Sequence, residues 1–150
     1  MRRSPLSLLA SALLVASAAA SAQAPAAVDR PFDAVEVARF DEPWAMTFLP
    51  DGRLLVTEKA GRLWVQDVAT GKRTRIGRVP EVVHAGQGGF ADVVLHPQFS
   101  SNGWVYLSYA EAGDGNTSGA AVARAKLDLE DNELEDLQVL WRQVPKVAGN

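Results

Sequence analysis

The chain has 150 residues, 47% of them hydrophobic and 22% charged, a balance that supports a packed core and excludes a disordered polymer. That length ordinarily corresponds to one domain. The absence of cysteine excludes disulfides and thiolate metal sites, and a formal net charge of −3 excludes the basic footprint of a nucleic-acid binder.

Residues 1–22 read as a secretory signal peptide. Arg2 and Arg3 give a positive start, and residues 6–20 form an apolar, alanine-rich core. Ala20-Ser21-Ala22 and Ala22-Gln23-Ala24 both present small residues at the spacing a signal peptidase needs. The second cut would leave Pro25 immediately after it, so cleavage is expected before Gln23. The apolar run is shorter than the ~20 residues that span a bilayer, which argues against a membrane anchor. The arginine pair suits twin-arginine export, but the rest of that motif is lacking, so the export route stays open. The expected destination is the periplasm or the medium. Losing Arg2 and Arg3 takes the net charge from −3 to −5. Residues 23–33, rich in Pro and Ala, read as a tether, and the folded part is expected over 34–150.

Strand-like alternation begins at residues 34–38. Residues 44–49 form the next apolar stretch, stopped by Pro50-Asp51-Gly52. Asp-Gly between apolar runs signals a hairpin, and Pro presets the turn. Residues 54–57 return, Lys59-Ala60-Gly61 turns, and 62–65 form a further strand. Thr70-Gly71-Lys72 precedes a last one at 73–76. Together 44–76 predict a four-stranded antiparallel meander with no helical period.

The stretch His84-Ala85-Gly86-Gln87-Gly88-Gly89 follows. Glycine accepts backbone angles that a Cβ forbids and lets a ligand approach the main chain. Gln87 brings one carbonyl acceptor and two N–H donors, an inventory suited to a hydroxyl-rich molecule. Glycine clusters also mark simple turns, with the glutamine merely solvated, and spacing alone leaves both readings open.

Residues 90–95, 104–109, 120–127 and 137–141 then predict a second meander. Its Leu95-His96-Pro97 echoes Phe48-Leu49-Pro50 at an offset of about 47 residues, near the period of a propeller blade. Two blades cannot close a ring that needs ~4–8. The expectation is therefore an all-β propeller of which this chain is the N-terminal portion.

Other candidates for chemistry are few. His84 and His96, the only histidines, flank the glycine-rich turn, but two ligands fall short of the three or four a metal site needs. Asp92 is expected to hold neighbouring backbone and not to act as an acid. The acidic run 128–136 lacks the glycine and carboxylate spacing of a calcium loop and reads as a solvated turn. Asn116-Thr117-Ser118 matches a glycosylation sequon, a short pattern that arises by chance. Trp44, Trp64, Trp104 and Trp141 lie in strands and are expected to pack between blades. No metal ligand set is predicted within the chain.

The run Gly86-Gln87-Gly88-Gly89-Phe90-Ala91-Asp92-Val93-Val94-Leu95-His96-Pro97, followed by Asn102-Gly103-Trp104-Val105-Tyr106-Leu107-Ser108-Tyr109, resembles the soluble PQQ-dependent sugar dehydrogenases. Within that family the chain most resembles the aldose sugar dehydrogenases. Pro43-Trp44-Ala45-Met46-Thr47-Phe48-Leu49-Pro50-Asp51-Gly52 and Arg142-Gln143-Val144-Pro145-Lys146 fit the same pattern, and the resemblance runs from about 35 to 150.

The resemblance implies a six-bladed β-propeller, with this chain supplying the signal peptide and about the first two blades. It implies oxidation of aldose sugars at C1 to lactones. Such chemistry needs a base for the anomeric hydroxyl and an electron sink that no side chain provides. In the family PQQ is the sink, Ca²⁺ polarises it, and the base is a histidine that would directly follow Asn150. No catalytic residue is thus expected inside the chain, and the PQQ and calcium sites are expected in later blades. Gln87 matches the glutamine that hydrogen-bonds the sugar, and glycines 88 and 89 would let the loop come close to it. Asn150 matches the polar residue before the catalytic histidine, an aspartate in the glucose dehydrogenases, so the asparagine points to broader aldose specificity. The implied partners are aldoses and an acceptor for the electrons of reduced PQQ. Two rivals remain: a propeller-type metal-dependent lactonase, and a non-catalytic propeller that binds carbohydrate or protein.

Overall fold

Three tight turns fold residues 43–76 back on themselves. The computed structural model describes residues 31–148, so the predicted signal peptide and most of the tether lie outside the described residues, as does Asn150. Strands β1 (Pro43–Phe48), β2 (Leu54–Glu58), β3 (Arg62–Gln66) and β4 (Arg73–Ile76) pair antiparallel in that order. At the first turn Gly52 N–H donates to Leu49 O at 2.9 Å and Leu49 N–H to Arg53 O at 2.8 Å, which closes the predicted Pro50-Asp51-Gly52 hairpin.

The second sheet repeats the plan. Strands β5 (Phe90–Leu95), β6 (Trp104–Ala112), β7 (Thr117–Asp128) and β8 (Glu133–Arg142) again run in order, and a two-residue strand β9 (Val147–Ala148) adds to β7. Between β5 and β6 lies one helical turn, α1 (Phe99–Asn102), closed by Gly103 N–H donating to Phe99 O at 2.8 Å.

The core sits between the sheets. Leu55, Leu63, Val65 and Ile76 of the first sheet meet Phe90, Val93, Val105, Leu107, Tyr109 and Leu127 of the second. On β7 the inward residues Ala121, Ala123 and Ala125 are fully buried while Val122, Arg124 and Lys126 between them are partly exposed. That period of two is the signature of a strand with one covered face.

Two sets of polar bonds pin the sheets at different places. Buried Thr57 donates through Oγ1 to Ala91 O at 2.7 Å and accepts from Ala45 N at 3.1 Å. Phe90 N–H donates to Lys59 O at 2.9 Å. Elsewhere Gly77 exchanges backbone bonds with the β7–β8 turn, donating to Asn132 O at 2.8 Å and accepting from Leu134 N–H at 3.1 Å.

Three expectations need correction. Residues 34–38 form no strand; Val35 is 81% exposed and Val37 53%, and no described strand lies beside them to complete a ladder. Strand β8 starts at Glu133 and not at Leu137, because Leu134 fills the core and Glu133 pairs across to Asp128. Only residues 129–132 of the acidic run are therefore turn. Asp92 does not hold backbone through its carboxylate: its own N–H donates to Ser108 Oγ at 3.1 Å, and the side chain is exposed.

Candidate functional site

The glycine-rich loop is held by its ends. Before it, Val83 N–H donates to Ala110 O at 2.8 Å; after it, Ala110 N–H donates to Gly89 O at 2.9 Å. Inside the loop Gly88 N–H reaches back to Ala85 O at 2.7 Å. Gly89 adopts φ +140°, and a Cβ there would lie 2.5 Å from Lys59 O. A Cβ on Gly88 would lie 2.9 Å from Val83 O. These two glycines thus permit close approach of the chain to itself.

Gln87 stands at the exposed crest of this loop, and its amide makes no hydrogen bond to any described residue. It borders an open cleft of about 400 Å³ that also touches Ser108 and Tyr109 of β6, Ser118 of β7, and Gln143 after β8. Gln143 is partly committed, since its Oε1 accepts Ala120 N–H at 3.1 Å. Burial, with the charge of Glu111 second, pushes the Tyr109 phenol up, so it stays protonated. No charged side chain borders the cleft among the described residues. Amides and hydroxyls over an apolar floor suit a neutral polyhydroxylated molecule.

The segment leading towards Asn150 is fixed by Glu111. Its carboxylate accepts from Lys146 Nζ at 2.6 Å and from Arg142 Nε at 2.8 Å, and these two cations hold it below the usual carboxylate range. Lys146 also donates to Ala112 O, so residues 142–146 are tied to the end of β6.

The two histidines serve separate ends. His84 Nε2 lies 2.9 Å from Glu42 Oε2, while His96 stacks on Tyr106 and accepts at Nδ1 from Gln98 N–H at 3.0 Å. The acids of the 128–136 run are also dispersed: Asp128 accepts the N–H groups of Glu130 and Asp131, Glu133 pairs with Arg78, and Asp136 with Lys126. Among the described residues no three carboxylates or histidines converge as metal ligands. Trp44 and Trp141 are about half exposed, so they are not packed between the two described sheets.

Ser108, Ser118 and Gln143 were not singled out in the sequence. They meet only because β6, β7 and β8 pair in register, which brings positions up to 35 residues apart to one wall. Ser108 and Gln143 carried a signal as parts of the motifs at 102–109 and 142–146, and Ser118 appeared only in the sequon at 116–118.

Comparison with known proteins decides the relationship. The family model described as Glucose / Sorbosone dehydrogenase matches residues 40–150. The chain belongs to this family. It is 38% identical over 114 residues to aldose sugar dehydrogenase YliI of Escherichia coli, covering 75% of this chain and 31% of that protein. A solved glucose dehydrogenase superimposes with a TM-score of 0.70 at 41% identity, covering 73% of this chain and 35% of that one. The PQQ-bound form of aldose sugar dehydrogenase from Streptomyces coelicolor superimposes with a TM-score of 0.65 at 29% identity, covering 73% and 33%. The chain thus spans about a third of the length of these relatives. Its two sheets are two blades of the β-propeller that glucose / sorbosone dehydrogenases share.

The cleft does not fit PQQ. PQQ carries three carboxylates, which call for cationic partners. The residues lining the cleft include no Arg or Lys, so they do not hold the quinone. Calcium finds no ligand cluster among the described residues either.

Proposed function

We propose that this chain is the N-terminal portion of an exported quinoprotein that oxidises aldose sugars at C1 to lactones, with Gln87 as a sugar-binding group. The observation that carries the reading is the free amide of Gln87 over an uncharged, hydroxyl-lined cleft, on a loop fixed at both ends. An amide that can both donate and accept matches a sugar hydroxyl, which does the same. Family membership and the PQQ-bound relative support a quinone as the electron sink, held by residues beyond this chain together with Ca²⁺. Arg2 and Arg3 before an apolar run support export.

The proposed roles within the chain are binding and orientation. Gln87 holds one sugar hydroxyl, and Ser108, Ser118 and Gln143 offer further polar partners on the same wall. Glu111 anchors Arg142 and Lys146, in the segment that precedes Asn150 in the sequence. Proton abstraction belongs to that histidine and not to any residue described here.

The test is turnover of glucose and other aldoses with an artificial electron acceptor, with and without added PQQ and Ca²⁺. The full-length protein is expected to turn over only when both are present. The 150-residue chain alone is expected to be inactive, and turnover by it would overturn the assignment of sites. Full-length protein that binds sugars without oxidising them would favour a non-catalytic propeller. Asn150→Asp is expected to shift preference among aldoses more than it changes the rate for the best one.

A further inference from the structure

The loop that carries Gln87 contains three glycines in four residues, and glycine loses more backbone freedom on ordering than any other residue. A binding group on a loose loop must be ordered each time a ligand binds, and that ordering costs affinity. Something must therefore hold this loop, and Lys59 stands where that hold is made.

Lys59 follows β2 in the turn to β3, 27 residues before Gly86. Its Nζ donates to Gly86 O at 3.0 Å, and its own carbonyl accepts Phe90 N–H at 2.9 Å. One residue thus binds the loop on both sides of Gln87. Its side chain is only 18% exposed, with the ammonium 6.0 Å from the Trp44 ring centroid. Lysine ammonium groups usually seek water, so a partly buried stem that brings the ammonium to a backbone carbonyl marks a committed contact.

Lys59 is itself held. Its N–H donates to Glu42 O at 3.0 Å, and Glu42 Oε1 lies 4.0 Å from its Nζ. The other Glu42 oxygen takes His84 Nε2 at 2.9 Å, at the start of the glycine-rich stretch. Glu42 adopts φ +47°, a left-handed conformation that a residue with a Cβ keeps only under restraint from its surroundings.

We propose that Lys59 is the positioning residue of the Gln87 loop, clamping it through Gly86 O and Phe90 N–H, and that Glu42 and His84 brace the clamp. The proposal rests on the reading of Gln87 as a sugar-binding group. Lys59 does not line the cleft itself; it acts through the placement of Gln87.

The experiment compares Lys59→Met, Lys59→Arg and Glu42→Gln in the full-length protein by two readouts. The first is hydrogen exchange at the Gly88 amide, with the Phe90 and Ala110 amides as internal controls, because their bonds do not need the ammonium. The second is the split between KM and kcat for glucose with an artificial acceptor. Lys59→Met is expected to speed Gly88 exchange by roughly 10-fold with the controls unchanged, and to raise KM about 5-fold with kcat within about twofold. Lys59→Arg keeps the cation and is expected to restore most of both. Glu42→Gln is expected to move both readouts in the same direction by less, and it serves if Lys59→Met does not fold. Unchanged Gly88 exchange in both Lys59→Met and Glu42→Gln overturns the clamp. Faster exchange with unchanged KM upholds the clamp and overturns the sugar-binding role of Gln87.

Discussion

Two polar side chains on neighbouring turns of this molecule meet opposite fates. Glu58 ends β2 and is almost fully buried. Its carboxylate accepts Asp41 N–H at 2.6 Å, Trp64 Nε1–H at 2.8 Å and Arg62 Nε–H, while Arg62 also bridges to Asp41. Both oxygens are spent on the chain, and the result is a knot that lashes Asp41 across the first sheet. Gln87 is also held on a fixed frame, yet its amide is spent on nothing described. The contrast separates a polar group that makes structure from one presented by structure. A satisfied buried network resists change as a unit, whereas a free amide on a braced loop costs the fold little to remove.

The largest expected effect lies at the frame itself. Gly89→Ala would drive a Cβ into the Lys59 carbonyl at a φ that L residues avoid, and is expected to destabilise the protein by ~3 kcal/mol in urea unfolding. An effect near zero would mean that the Lys59–Phe90 contact gives way easily, and the frame would not be rigid.

Next comes Glu58→Gln, which removes the buried charge that Arg62 Nε–H and Trp64 Nε1–H bond and leaves Arg62 only Asp41; it is expected to cost ~2–3 kcal/mol. It also has a pH signature. Burial pushes the Glu58 carboxyl up, but bonds from Trp64, Arg62 and the Asp41 N–H together pull it below its ordinary 4.5. A depressed carboxylate contributes stability above its unfolded pKa, and that contribution is lost as pH falls through the folded value. Wild-type protein is therefore expected to lose stability below about pH 4.5 more steeply than Glu58→Gln. Parallel curves would remove Glu58 from the account.

The smallest stability change is expected at Gln87→Ala, within ~0.5 kcal/mol of wild type. That small number completes the contrast with Glu58, for the same truncation should be felt in sugar oxidation alone.

Much of this was legible in the chain. Pro50-Asp51-Gly52 and Lys59-Ala60-Gly61 announced the hairpins, and residues 120–127 were legible as a strand of the second meander. The repeat at about 47 residues matches the spacing of Pro43 and Phe90, the first residues of β1 and β5. Residues 34–38 alternate like a strand yet pair with no described one, because alternation describes a strand's faces and says nothing of whether a partner supplies the ladder. Glu133 was hidden by its charge, although Leu134 beside it is 1% exposed. At the site, Gln87 stood out because its neighbours are glycines. Lys59 did not, because a lysine in a Lys-Ala-Gly turn reads as solvated, and its bond to Gly86 forms only once the two sheets have packed.

The central claim is that Gln87 is presented to a sugar, and steady-state kinetics of Gln87→Ala on several aldoses beside a PQQ titration tests it most directly. Losing one neutral hydrogen bond typically costs ~0.5–1.5 kcal/mol, so kcat/KM is expected to fall roughly 2- to 10-fold. PQQ affinity is expected to stay near wild type, since no cation borders the cleft to hold the quinone. Wild-type kcat/KM on every aldose would contradict the account and reduce the glycine-rich loop to a turn.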